Sequence, residues 1–279
     1  MSFWWIMAWR SAWSRRFALL LVMLSVTLSV LLWLGVQQLR EDARRSFSHA
    51  LSGVDLIVGP RGSATELMLY SVFQIGRPTR NMGFEGYRTI SEMPQVRWAV
   101  PIQLGDSYLG HPVLGTNPTL FKEFKSQGKG LEWAQGRAFG NPIEQPQAMY
   151  EVVLGAEVAK RFGRRVGDTL VITHGAGGGP EDTDHDDQPL TVVGVLQPTG
   201  APIDRTVLIN LEGFDNIHLG WGLGISPKAL KGLSQSPTPK AGDSSVSHPV
   251  SVSAVWVGLH HRAEVFAVRR AIESIRTEP

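Results

Sequence analysis

At 279 residues the chain is long enough for one large domain or two modest ones, each with a core of its own. Lys plus Arg (27) exceed Asp plus Glu (25) by only two, and no Lys/Arg block follows Arg45, so nucleic-acid binding has no electrostatic footprint. The absence of cysteine excludes disulfide frameworks, thiol nucleophiles and cysteine-ligated zinc together.

The amino-terminal stretch is the most distinctive. Five of the nine tryptophans (Trp4, Trp5, Trp9, Trp13 and Trp33) fall within it, a clustering that points to a membrane. Residues 1–16 read as an interfacial amphipathic segment, with Trp5, Trp9 and Trp13 at helical spacing and Arg10, Arg15 and Arg16 interrupting. Phe17 to Val36, "FALLLVMLSVTLSVLLWLGV", carries no charge, and its polar side chains Ser25, Thr27 and Ser29 can bond back to helix carbonyls. As a helix this run spans roughly 30 Å, the hydrocarbon thickness of a bilayer, so it is read as membrane-spanning. A cleaved signal peptide would have a shorter apolar region and a small-x-small site, whereas "WLGVQQLREDARR" follows here. A buried core helix is disfavoured by the length of the uncharged run.

Arg10, Arg15 and Arg16 have no acid to offset them, while Glu41 and Asp42 offset Arg40, Arg44 and Arg45 beyond the span. The expected orientation is therefore amino terminus inside and the large remainder extracytoplasmic.

Residues 37–52 are expected to continue as a stalk helix, giving way to a short strand in "VDLIVGPRG". "FEGYRTISEMPQVRWAVPIQL" reads as a helix with Ile90 and Met93 inward, then a strand through Val96, Trp98 and Val100. In "YEVVLGAEVAKRFGRRVGDTLVI" a strand Val152–Leu154 leads to a short helix burying Val158, Ala159 and Phe162 and closed by Gly163; a strand over Thr169–Thr173 follows. Strands are expected again at Leu190–Leu196 and in "RTVLINL", with Val207, Ile209 and Leu211 on one face. Residues 234–249 have the Ser/Pro/Gly composition of a linker. Val250–Leu259 forms a last strand, and a helix follows with Val265, Val268, Ile272 and Ile275 on one stripe.

Chemistry-bearing candidates are few. The loop "HGAGGGPEDTDHDDQPL" opens like a calcium loop at Asp182, Asp184 and Asp186, but its sixth position is Asp187 instead of glycine and its twelfth is Val193 instead of glutamate. His174 and His185 with a neighbouring aspartate remain weak candidates for a transition metal; the glycine run leaves them unorganised, and a solvated acidic loop is the preferred reading. No P-loop, H-E-x-x-H or G-x-S-x-G motif occurs. His260 and His261, at a strand-to-helix junction, are read as structural or solvated, and Arg161, Arg164 and Arg165, on the short helix, as a solvated face. No catalytic residues and no cofactor are assigned.

The order "AWRSAWSRRFALLLVMLSVTLSVLLWLG", "PQVRWAVPI", "VLGTNPTLFKEF", "EVVLGAEVAKRFGRRVGDTLVI" and "LTVVGVLQPTGAPIDRTVLINL" resembles the MacB/FtsX-like family of ABC-transporter permeases. The resemblance implies an α+β chain: one transmembrane helix, then an extracytoplasmic porter-like α/β subdomain (53–140 and 250–279) with an inserted β-rich subdomain (141–233). It implies no covalent chemistry, a cytoplasmic ABC ATPase partner that binds the ATP, a second permease copy or homologue, and a bacterial inner-membrane location. A periplasmic or outer-membrane partner belongs to the same expectation. Family members carry three further helices after this domain, so the chain is expected to be a fragment or a truncated product. The competing expectation is a single-span sensor or adaptor that captures a ligand or metal through the 174–189 loop.

Overall fold

The computed structural model describes residues 3–50, 52–174, 189–217 and 250–274. The chain divides into two units, residues 1–48 and 49–279.

The first unit is helical: α1 (Phe3–Ser14) and α2 (Arg16–Ala50), with Arg15 in a turn between them. The Arg15 amide still bonds to Ser11 O and Ala12 O, and Leu19 N bonds to Arg15 O, so the backbone is satisfied across the joint. The expected membrane span and the stalk form one unbroken helix of 35 residues, about 50 Å long. Ser29 Oγ donates to Ser25 O at 2.9 Å, hiding its polarity within the helix.

The second unit is organised by a ten-stranded mixed sheet. In chain order its elements are β1 (Leu56–Val58), α3 (Ala64–Ser71), β2 (Met82–Gly83), α4 (Phe84–Ser91), β3 (Val96–Tyr108), β4 (His111–Thr116), α5 (Thr119–Glu123), β5 (Lys125–Ser126), β6 (Lys129–Gly130), β7 (Trp133–Gly136), β8 (Glu151–Leu154), α6 (Ala156–Phe162), β9 (Thr169–Leu170), β10 (Thr173–His174), β11 (Leu190–Leu196), β12 (Val207–Asn210), α7 (Leu211–Ile217), β13 (Ser251–Val252), β14 (Ala254–Leu259) and α8 (Val265–Ser274). The main path runs β1-β14-β3-β4-β12-β8-β11-β7, with β10 on β3 and β9 on β11. The β4–β12 and β8–β11 pairs are parallel and the remaining pairs antiparallel.

Strand β3 is the spine. Its first half is in register with β14 and its second half with β4, so residues far apart in sequence meet in one sheet. Pro101, which lacks an amide to donate, falls in the half that pairs with β14, opposite Val255. One face of this region packs Ile90 of α4 and Val268 and Ile272 of α8 against Val255 and Val257. The other packs Tyr70 of α3 and Leu120 of α5 against Trp98, Val100 and Trp256. Because both faces are covered, all six residues of β14 are buried. A third cluster joins Val158 and Ala159 of α6 to β8, β11 and β12. The segments 53–140 and 141–233, read as two subdomains, therefore share backbone hydrogen bonds through β4 and β12.

Three expected strands are cut differently. The one over Thr169–Thr173 is two: Leu170 pairs with Leu190 of β11, while Thr173 pairs with Ser107 of β3, because the chain changes partners between them. The one through Leu211 ends at Asn210, and Leu211 opens α7; all four residues of β12 are buried, since the strand is central in the sheet. The last strand breaks at Ser253, with β13 on β2 and β14 on β3. Ser253 is fully buried; its Oγ donates to Asn81 Oδ1 at 2.9 Å and accepts from Leu104 N at 3.2 Å, so the break is built by side-chain hydrogen bonds. The linker expected at 234–249 lies outside the described residues, as does Ile275.

Candidate functional site

The apolar part of α2 runs within Arg16–Asp42, the one helix among the described residues that is long and apolar enough to cross a membrane. Among its large side chains Leu20, Val26 and Leu32 are each more than half exposed. An amphipathic core helix would bury one stripe; this one buries none of its apolar window. At its amino end the Arg16 guanidinium lies over the rings of Trp13 and Phe17, 5.6 and 5.3 Å from their centroids, which pairs cation and aromatic as interfacial segments do.

The acidic loop yields no site among the described residues. His174 lies in β10, in register with Asp106 of β3. Asp182, Asp184, His185 and Asp186 lie outside the described residues. Among those described, no group of three or more His, Cys, Asp or Glu residues could hold a metal ion. His260 and His261 are exposed, as read from sequence. Arg164 differs: half-buried, its Nε donates to the Tyr108 hydroxyl at 2.9 Å, because α6 packs under the β3–β4 hairpin.

Several buried polar groups fasten backbone. Glu151 takes two hydrogen bonds from Arg137, at 2.9 and 2.6 Å, and one from Gly140 N at 3.0 Å. Those Arg137 bonds hold its carboxyl below the usual range, against burial, which alone would raise it, and the Gly140 amide adds to the lowering. Asp204 caps its own turn, accepting from Thr199 N, Thr199 Oγ1 and Gly200 N. Burial, with a smaller push from Glu66, raises Tyr70 to about 12, and its hydroxyl donates to Ser253 O at 3.0 Å. Sequence reasoning missed these residues. Glu151 and Tyr70 are isolated polar letters whose partners are fixed by the tertiary fold, whereas Asp204 meets Thr199 and Gly200 within its own turn.

A cavity of about 10 Å3 between Val72, Leu114, Leu120 and Trp256 is the size of one water. What the geometry provides is a cross-tied sheet domain on a chain with a long apolar helix.

A bilayer-length apolar helix followed by a sheet-rich domain defines the class, a membrane-anchored α+β protein. The chain belongs to the MacB-like periplasmic core domain family, whose profile matches residues 19–275, from within the apolar helix to one residue past the end of α8. Among solved structures it is similar to the extracellular domain of the noncanonic ABC-type transporter YknZ from Gram-positive bacteria, at 14% identity over 67% of this chain and 78% of that one, with a TM-score of 0.40. It is also similar to the periplasmic region of MacB from Actinobacillus actinomycetemcomitans, at 13% identity over 79% and 82%, with a TM-score of 0.44. None of the curated proteins compared matches the chain in sequence.

Proposed function

We propose that the chain is a permease subunit of a MacB/FtsX-type ABC transporter. Its amino terminus is cytoplasmic and its sheet domain extracytoplasmic, and it works by export or mechanotransmission with a second permease copy. A cytoplasmic ABC ATPase binds and hydrolyses the ATP, and the movement passes through α2 to the domain. The observation that carries this reading is the family match, which takes in the apolar helix and the domain together. The unbroken course of α2 from Arg16 to Ala50 supports it, since a helix with an intact hydrogen-bond ladder transmits displacement along its axis.

The experiment is a break in that helix. Gln38→Pro lies beyond the apolar run, removes one ladder hydrogen bond and kinks the helix. The full chain with Gln38→Pro should still insert in the membrane and still co-purify with its ATPase, yet lose ATP-dependent change in protease accessibility of the sheet domain. If wild-type chain solubilised from native membranes brings down no ABC ATPase, or if the domain responds to ATP equally in both proteins, the reading fails.

A further inference from the structure

The chain enters the sheet domain through two unlike tethers. Ser52, just past the end of α2, forms an antiparallel bridge with Lys125 of β5. Its amide donates to Lys125 O at 3.0 Å, and its Oγ accepts Gly128 N at 3.3 Å. A few residues on, the Asp55 amide donates to Val257 O at 2.9 Å, and the carboxylate accepts Leu259 N and Arg262 Nε, each at 2.9 Å. The Asp55 tether is charge-assisted and grips β14, a strand buried along its whole length. The Ser52 tether grips a small hairpin in which Ser126 is buried while Lys125, Gln127, Gly128, Lys129 and Gly130 are exposed. Two-stranded hairpins are marginal in water. This one is weakened further at its turn, where Gln127 and Gly128 are both left-handed, φ 54° and 76°. A glutamine side chain there crowds its own backbone, and asparagine is the favoured residue.

The same hairpin bridges the two edges of the sheet. β1 and β7 end the main strand path, yet Ile57 of β1 and Trp133 of β7 pack against one apolar cluster, so the sheet curls until its edges share a core. Ser52 lies just ahead of β1, and β6 leads directly into β7. Ser126 Oγ also donates to Thr199 O at 3.2 Å, just beyond the end of β11. The hairpin's hydrogen bonds therefore fasten the chain's entry at one edge to the strands of the other.

We propose that Ser52 and the β5–β6 hairpin form a release clasp across this seam. A displacement of the chain at the end of α2, in whatever direction, loads Ser52 before it loads Asp55. The exposed hairpin yields first and the Asp55 tether holds, because opening follows the local stability of the groups that resist it. Release frees the segment ahead of Asp55 and loosens the seam between β1 and β7, while β14 keeps its place. The inference rests on the permease reading for the source of the displacement and not for the clasp itself.

Amide hydrogen exchange of the full chain tests the clasp without any ATPase. The Ser52 and Gly128 amides should exchange roughly a hundredfold faster than those of Asp55 and Leu259, and Gln127→Asn should slow them about fivefold by favouring the turn. Equal protection at the two tethers, or no slowing, overturns the proposal. A second arm exploits the absence of native cysteine. Ser52→Cys with Lys125→Cys puts thiols on facing residues whose Cα atoms are about 5.5 Å apart in such a bridge, within disulfide reach. When oxidised, this chain should lose the ATP-dependent change in protease accessibility of the sheet domain, and reduction should restore it, with ATPase co-purification unchanged. An oxidised chain that responds like the reduced one overturns the clasp. A reduced chain with no response to ATP counts against the permease reading, and the exchange rates then decide the clasp by themselves.

Discussion

Asp55 and Arg262 tie together the two ends of the domain's chain. Asp55 Oδ1 accepts Arg262 Nε at 2.9 Å, and Oδ2 accepts the backbone amide of Leu259 at 2.9 Å. The carboxylate side chain is 8% exposed and the guanidinium 79%, so the two partners differ in worth. Asp55→Ala leaves a buried strand amide unpaired and should cost about 2 kcal/mol in denaturant unfolding. Arg262→Ala, a largely exposed partner, should cost under about 1 kcal/mol. Equal losses would mean that the ion pair, and not the strand amide, is what matters here.

The Arg137–Glu151 pair sets a pH dependence. Glu151 has its carboxyl lowered in the folded protein, chiefly by the Arg137 hydrogen bonds. In the unfolded chain it titrates near about 4.3. On acidification the unfolded state takes the proton first, so the pair's contribution is complete above that value and disappears as pH falls through the lower folded one. Glu151→Gln should therefore lose about 1–2 kcal/mol at neutral pH, discounted for the half-exposed arginine, and approach the parent's stability as acid protonates the lowered carboxyl of the parent. A deficit that persisted undiminished in acid would assign the loss to packing.

Local features of this fold were legible and distant ones were not. Gly163 ends α6 in the left-handed conformation, φ 63°, and Val158 and Ala159 are buried, because capping and helical periodicity are short-range properties written in adjacent letters. The twenty-residue apolar run likewise declares itself by length alone. By contrast, β14 shows no alternation to read, since helices and side chains cover both its faces, and Ser253 looks like one more polar position in "VSVSAVWVGL" until Asn81 and Leu104 arrive beside it. Asp55 and Glu151 are invisible for the same reason. The candidate loop failed as a calcium site on spacing, which is local.

Gly258 faces Trp98 across the β3–β14 pair, and a Cβ at 258 would overlap the indole at Nε1 and Cε2. Trp98 is buried in the core with Val100 and Trp256 and has no slack to withdraw. Gly258→Ala should cost about 1–3 kcal/mol by overpacking. In a Trp98→Ala background, itself destabilised, the same substitution should be close to neutral, and the double-mutant cycle should return nearly the whole cost as coupling. Additive effects would show that the strain sits in the backbone of β14 instead.

The last prediction separates a helix in lipid from a helix in water. Val26 and Gln38 both sit on α2 and both are exposed, so for a water-surrounded helix arginine at either position is equally tolerated. In a bilayer the two differ, because Val26 falls near the middle of Phe17–Val36 and Gln38 beyond its end. Arginine at mid-span costs about 2.5–3.5 kcal/mol of insertion free energy, whereas at the flank the side chain reaches the headgroups. Val26→Arg should shift most of the full chain out of the carbonate-resistant membrane fraction, and Gln38→Arg should leave it there. Matching fractions for both variants would remove the membrane from the account of α2, and with it the route by which a cytoplasmic ATPase could move the sheet.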